Sequence, residues 1–233
     1  MGYTKIDRVV LKLGGHLLFN DNGSFNIGYL KDLAKTLKVL EEKIDKLVIV
    51  VGGGHKAREY INTAREFISN NSALDRLGIA VSHINALLLS LILGKLPYTI
   101  PSSLQELMDK IYERKIIIIG GFQPGQSTTT VSALVAEAIN ADMLIIATDV
   151  DGIYTSDPKK NPDAKLVKEI TITELEKIFE ESVIDAGEYK LLDTYTIKIL
   201  KRSHIPTVVL NGKNPENLIK ILHGYKIGTL IKT

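Results

Sequence analysis

Leu47-Val48-Ile49-Val50-Val51-Gly52-Gly53-Gly54 decides the reading of this chain: an apolar, β-branched run stops at consecutive glycines. The pattern occurs twice more. Val9-Val10-Leu11-Lys12-Leu13 ends in Gly14-Gly15, and Ile116-Ile117-Ile118-Ile119 ends in Gly120-Gly121. Apolar runs of this kind are the mark of parallel strands buried on both faces. In open α/β sheets ligands bind beyond the carboxyl ends of such strands. Glycines there let backbone N–H groups approach an anion, and the helix that follows points its positive end at the same place. Together the three turns predict a shared polyanion site, most simply for phosphates.

Working outward, strands and helices alternate. Ile27 to Lys43 puts Leu30, Leu33, Ala34, Leu37 and Leu40 on one helical face. Further helices are predicted over His55–Ile68, with Ala57, Ile61 and Ala64 inward, and over Ala73–Leu93, which is apolar enough to be largely buried. Others follow over Leu104–Tyr112, Val131–Ala141, Thr171–Ile178, Leu191–Arg202 and Pro215–Leu222. Thr173 is the expected N-cap of the 171–178 helix, with Glu176 completing a capping box. Strands are expected at Tyr98–Ile100, Met143–Thr148, Thr207–Leu210 and Ile227–Ile231. Asp149–Asp163, rich in Asp, Gly, Pro and Lys, reads as a loop or hairpin. This alternation predicts an α/β fold, a three-layer α/β/α sandwich with a mostly parallel central sheet. One continuous sheet with two lobes, 1–145 and 146–233, is expected.

Composition bounds the function. The 233 residues are 45% hydrophobic and 24% charged with net charge +2, so no basic footprint argues for nucleic acid. There are no cysteines, which excludes disulfides and thiolate metal sites. The apolar stretch Ile84–Leu93 is too short to span a bilayer, and the N-terminus lacks a signal-peptide pattern. A cytoplasmic protein with no membrane partner is expected. His83, His204 and His223 fit no metal-ligand spacing, so no protein metal site is predicted.

Lys12 lies inside an apolar strand just before Gly14-Gly15. A buried ammonium is unfavourable unless an anion compensates it, so it is the candidate to neutralise a transferring phosphoryl group. Gly52-Gly53-Gly54 leads into a helix carrying Arg58, one turn inside. Ser127-Thr128-Thr129-Thr130 holds more hydroxyls than capping requires, which suggests a second phosphate cradle, with Gln123 and Gln126 offering amides to a base or sugar. Tyr154 and the carboxylates of Thr148-Asp149-Val150-Asp151-Gly152 suggest a nucleoside pocket.

In order along nearly the whole chain, these segments resemble the amino acid kinase family, and within it the archaeal type of UMP kinase. The resemblance rests on Lys12 to Gly15, on Val51-Gly52-Gly53-Gly54 with Ala57-Arg58-Glu59-Tyr60-Ile61, on Asp75-Arg76-Leu77-Gly78-Ile79, and on Asn85-Ala86. Its most specific part is Gly120-Gly121-Phe122-Gln123-Pro124-Gly125-Gln126-Ser127-Thr128, supported by 148–158, Ala186-Gly187, Leu192-Asp193 and Ile197-Lys198. It implies transfer of the ATP γ-phosphoryl to UMP with Mg²⁺, in a homohexamer. By position it places Gly15, His16, Gly54 and Arg58 at the ATP phosphates, and Thr148, Asp149, Tyr154 and Asp157 at the ATP nucleoside. It places Gly53, Asp75, Phe122, Gln123, Pro124, Gly125, Gln126, Ser127 and Thr128 at UMP. Lys12 is the implied catalytic cation and Lys198 a second candidate. The chain departs from the commoner pattern at His16, His83, Asp149 and Thr129; at the last, many relatives carry an Asp. Two other readings stay open: a family kinase with another acceptor, such as isopentenyl phosphate, and a nucleotide-binding regulator without catalysis.

Overall fold

The computed structural model describes residues 6–95, 99–156, 158, 160–181 and 192–233. Its strands are β1 (Arg8–Leu13), β2 (Lys46–Val51), β3 (Ile116–Ile119), β4 (Met143–Thr148), β5 (Glu169–Thr171), β6 (Thr207–Asn211) and β7 (Thr229–Lys232). The helices are α1 (Ile27–Lys43), α2 (Gly54–Arg65), α3 (Asn71–Ile92), α4 (Leu104–Lys110), α5 (Thr128–Ala138), α6 (Ile172–Glu181), α7 (Thr194–Ser203) and α8 (Glu216–Leu222). The strands form one sheet in the order β3-β2-β1-β4-β6-β7-β5. All pairs are parallel except β6 with β7.

Alternation along β1 splits the core into two layers. Val9, Leu11 and Leu13 join Leu33 and Leu37 of α1 and Leu218 of α8 on one face. Val10 joins Val48, Val50 and Ile117 with Val131 and Val135 of α5 and Leu200 of α7 on the other. Lys12 has the parity of Val10 and pairs in register with Val50 and Ile146. The sheet therefore has helices on both faces, as the apolar runs predict, and its order reverses between β1 and β4. A crevice forms at such a reversal, outside the carboxyl ends of the strands.

Several elements differ from expectation. The capping box of α6 is Thr171 with Glu174, not Thr173 with Glu176. The Glu174 N–H donates to Thr171 Oγ1 at 3.2 Å, and the Thr171 N–H donates to Glu174 Oε2 at 2.8 Å. Two overlapping Thr-x-x-Glu frames exist; the first prevails because β5 ends at Thr171 and the helix then buries Ile172 and Leu175. Helix α5 begins at Thr128, three residues early, because Ser127 caps it. Thr99 and Ile100 are not in a strand, and Tyr98 lies outside the described residues. The three-residue strand β5 was not anticipated.

Helix α3 is not largely buried. It packs on α2, β3, β2 and α1, yet Ile84, Leu87 and Leu91 remain 63%, 40% and 45% exposed. The short run Ile84–Leu93 also underestimates it, since Asn71–Ile92 is long and apolar enough, by length and composition, to cross a membrane. In the fold it is an amphipathic support: one face packs inward, and its polar side chains reach the site described next.

Candidate active site

The turns after β1 and β2 meet backbone to backbone. The Gly14 N–H donates to Ala147 O at 3.0 Å and the Gly52 N–H to Leu13 O at 2.9 Å. A methyl group on Gly15 would stand 2.1 Å from Gly52 O and 2.5 Å from Gly54 N. Gly54 has φ +67° and opens α2, where a side chain would be strained and would also strike Gly15. The glycines thus serve mutual packing as well as any anion. Helix α2 starts at this junction and directs its N-terminal N–H groups there.

Charge converges on the same point. Burial pushes the Lys12 ammonium from its ordinary 10.5 down to about 8; the Asp149 carboxylate opposes this and the Arg58 guanidinium adds to it. Burial likewise takes His16 down to about 4, with Asp149 opposing and Lys12, Arg58 and His55 reinforcing. His16 is therefore neutral at pH 7, with Nε2 at 3.6 Å from Asp149 Oδ1 and making no hydrogen bond. Lys12 is partly buried and Arg58 is exposed on α2. Two cations therefore act on each other's charge beside the glycine turns, an arrangement that invites a polyanion.

Beside this point lies a cavity of about 830 Å³, lined by His16, Asn26, Tyr29, His55, Asp149 and Lys213 among others. Tyr29 is 8% exposed and its hydroxyl, which lacks a hydrogen-bond partner, is held protonated by burial. Across β4, Thr148 is buried at the strand end. Asn211 Nδ2 donates to Asp151 at 2.9 Å, and the Tyr154 hydroxyl donates to the same carboxylate at 3.2 Å. Asp151 is thereby committed internally. Asp157 lies outside the described residues.

The 120–128 loop is pinned from α3. Ser82 Oγ accepts the Gly121 N–H at 2.8 Å, and His83 Nε2 lies 2.7 Å from Gly121 O. A methyl on Gly120 would stand 2.6 Å from Ser82 Oγ and 2.9 Å from the His83 backbone nitrogen, so Gly120 is required by its contact with α3. The Gly125 N–H donates to Asp75 Oδ2 at 2.8 Å, and φ +80° at Gly125 makes the turn. Phe122 packs against the α5 layer, Gln123 is exposed, and the Gln126 N–H closes onto Gln123 O. Pro124 and Gln126 are half-buried. Thr128 Oγ1 lies 3.5 Å from where a Gly52 methyl would be, so this loop and the β2 turn share one cleft. Gly53 packs beneath it, facing Ala57 and Gly78.

The hydroxyl run is more committed than its sequence suggests. Ser127 Oγ accepts the Thr130 N–H and donates to Asp193, and Thr130 Oγ1 also reaches Asp193. Thr129 is buried. Of the four hydroxyls, Thr128 alone borders the Gly52 turn. Lys198 is exposed in the second turn of α7. Sequence reasoning gave no role to Asn85, 2% exposed, whose amide donates to Gly52 O at 2.9 Å and Gly53 O at 3.3 Å. The available signal was spacing. Asp75, Ser82 and Asn85 share one face of a mostly apolar helix, where unpaired polar groups would be unfavourable.

The model of the amino acid kinase family matches residues 7–211. The chain is 45% identical to the uridylate kinase of Sulfurisphaera tokodaii over 97% of its own length and 99% of the relative's. It is 42% identical to that of Thermofilum pendens over 96% and 97%. The crystal structure of uridylate kinase from Archaeoglobus fulgidus superposes with a TM-score of 0.84 at 34% identity, covering 96% of this chain and 99% of that one. The family model over residues 7–211 and these full-length likenesses agree: the chain belongs to the amino acid kinase family.

Proposed function

We propose that this protein is a UMP kinase, transferring the γ-phosphoryl of ATP to UMP. The observation that carries this reading is the shared cleft. The 120–128 loop lies against the Gly52–Gly54 turn through Thr128, and Lys12 at the end of β1 and Arg58 in the first turns of α2 are near enough to act on each other's charge. Relatives named uridylate kinase, alike over nearly their whole length, support the choice of acceptor. ATP enters the cavity beside His16, Asp149 and Lys213, with its phosphates at Gly15, Gly54 and Arg58 and its nucleoside toward Thr148, Tyr154 and Asp157. UMP lies along Gly53, Asp75 and Phe122 to Thr128. An oxygen of the UMP phosphate attacks the γ-phosphorus, and the bond to the ADP oxygen breaks. That acceptor is already ionised at neutral pH, so no general base is needed, and Thr129 in place of a carboxylate is no obstacle. Lys12 neutralises charge on the transferring group, and Lys198 is a second cation from α7.

No three of His, Cys, Asp and Glu cluster among the described residues. A Mg²⁺ arriving with ATP would have Asp149 as the nearby carboxylate to hold it and would supply neutralisation of phosphate charge. ADP release measured with UMP, CMP, AMP and no acceptor tests the function. UMP should turn over fastest, and a rate no higher than without acceptor would overturn it.

The homohexamer that the family likeness implies finds its interface, we propose, on α3. Ile84, Leu87 and Leu91 make an apolar stripe at spacings of three and four, open to solvent and suited to an isologous contact with a second copy. Wild type should sediment as a multiple of the 25.7 kDa chain. An isologous contact joins only two copies, so a hexamer has a second interface. Ile84→Asp with Leu87→Asp should yield a smaller assembly than wild type, and an unchanged assembly would move this interface elsewhere.

A further inference from the structure

The carboxylate of Asp193 ties two helix starts together. Asp193 is the N-cap of α7, where its Oδ1 accepts the Thr196 N–H at 2.8 Å and Thr196 Oγ1 at 3.1 Å. The same carboxylate accepts Thr130 Oγ1, at 2.8 Å from both oxygens, and Ser127 Oγ. Ser127 is itself the N-cap of α5. One anion therefore sits at the positive ends of two helices and receives donors from both. Burial works to raise its carboxyl, but the donors from Ser127, Thr196 and Thr130 outweigh it and hold the group below the usual carboxylate range. A helix cap needs only the bonds within α7. The pair from Ser127 and Thr130 crosses 63 residues or more of sequence to the end of the 120–128 loop.

That loop is held at three places, the first being Gly121, where Ser82 and His83 of α3 bind it. Asp75 of α3 fixes Gly125 in its middle, and Asp193 of α7 fixes Ser127 at its end. Between them lie Gln126 and the approach to Thr128, which borders Gly52. Without Asp193 the loop is tethered only from α3, at Gly121 and Gly125, and its end at Ser127, next to Thr128, is no longer tied to α7.

We propose that Asp193 is a positioning residue for the acceptor: acting through Ser127 and Thr130, it sets the loop that receives UMP against the β2 turn. This rests on the UMP kinase reading. Asp193 touches neither nucleotide and acts only through the loop, so its removal should be read in acceptor affinity and not in donor affinity.

The test uses the full chain with Asp193→Ala, Asp193→Asn, Thr130→Val and Thr196→Val. Losing one charged anchor should raise KM for UMP on the order of tenfold in Asp193→Ala, with KM for ATP changed less than about twofold. Asn keeps acceptor and shape, so Asp193→Asn should recover part of the loss. Thr130→Val removes a bond to the loop and should move KM for UMP the same way. Thr196→Val removes its bond to Asp193 within α7 and the 3.3 Å contact of its hydroxyl with Thr130, but leaves both loop bonds to Asp193. It should therefore lower the melting temperature and raise KM for UMP clearly less than Thr130→Val does. Equal changes in both KM values, or a Thr196→Val that matches Thr130→Val, would reduce Asp193 to an ordinary cap and overturn the proposal. Amide exchange across 122–131 in the nucleotide-free protein gives a readout that needs no turnover. It should quicken in Asp193→Ala, and unchanged protection would overturn the positioning role even if wild type used another acceptor. Wild type inactive toward UMP, by contrast, strikes the functional reading alone.

Discussion

Lys12→Ala is expected to lower kcat by about 10²–10³-fold, the loss seen when one preorganised group that stabilises transition-state charge is removed. The argument begins with the strand. Lys12 lies in register between Val50 and Ile146, and its buried ammonium has Asp149 and Arg58 as charged neighbours. Water screens a charge poorly there, which strengthens its attraction to a phosphoryl group. The fold should survive, because the variant removes a desolvated cation and leaves the strand's hydrogen bonds intact. The sign follows from the depressed pKa. Folding takes this group from its ordinary 10.5 to about 8, so between those values the unfolded chain binds more protons than the folded one. This residue's contribution to stability therefore rises with pH from about 8 to about 10.5, and below about 8 the charged form opposes folding. Lys12→Ala should flatten that part of the stability profile. Nucleotide phosphates reverse the effect, so ATP binding near pH 8–9 should take up a proton, as calorimetry in buffers of different ionisation enthalpy would detect. Near-wild-type kcat in a folded Lys12→Ala would remove the residue from the mechanism.

What could be read from the sequence follows from which forces are local. Ile27–Lys43 was predicted to the residue because an apolar stripe of period 3.6 begins after Asn26, whose side chain caps it, and ends where Ile44 turns extended. β3 and β4 were legible as uninterrupted apolar runs. The displaced start of α5 and the shifted capping box of α6 came from choosing among adjacent hydroxyl residues. Tertiary contacts decide that choice: Asp193 reaches Ser127, and Lys232 pairs with Thr171. The exposed stripe on α3 was illegible for another reason. Apolarity measures the wish to be buried, not what covers the face. At the site, Lys12 and the glycine turns stood out as local oddities, a cation in an apolar run and more glycines than a turn requires. Asn85, Ser82 and Asp193 act across 33 to 66 residues of sequence, and nothing beside them in the chain announces their partners.

Gly15→Ala should both destabilise the protein and nearly abolish turnover, although it adds one methyl group at a position with ordinary φ. The three atoms nearest that methyl, Gly52 O at 2.1 Å, Gly52 C at 2.5 Å and Gly54 N at 2.5 Å, all belong to the backbone of the neighbouring turn. That turn cannot yield freely. Gly52 is bonded through its N–H to Leu13 and through its carbonyl to the buried Asn85 amide. Pushing it away breaks the Asn85 bond inside the protein, at about 1–3 kcal/mol for the stranded groups. The start of α2 then moves with Gly54, carrying Arg58 from Lys12, and a displacement near 1 Å in a positioning element is worth about 10²-fold in rate. Two neighbours calibrate the expectation. At Gly14 the closest atom to an added methyl is His16 Cε1, at the end of a side chain that can swing aside. At Gly125 nothing lies within 4 Å, and the φ of +80° leaves only the left-handed penalty of about 1–2 kcal/mol. Melting temperature and kcat should therefore fall furthest in Gly15→Ala, with Gly14→Ala and Gly125→Ala milder. If Gly15→Ala instead melts and turns over like wild type, the two turns do not pack as one unit. The glycines would then have to be explained by the anion alone.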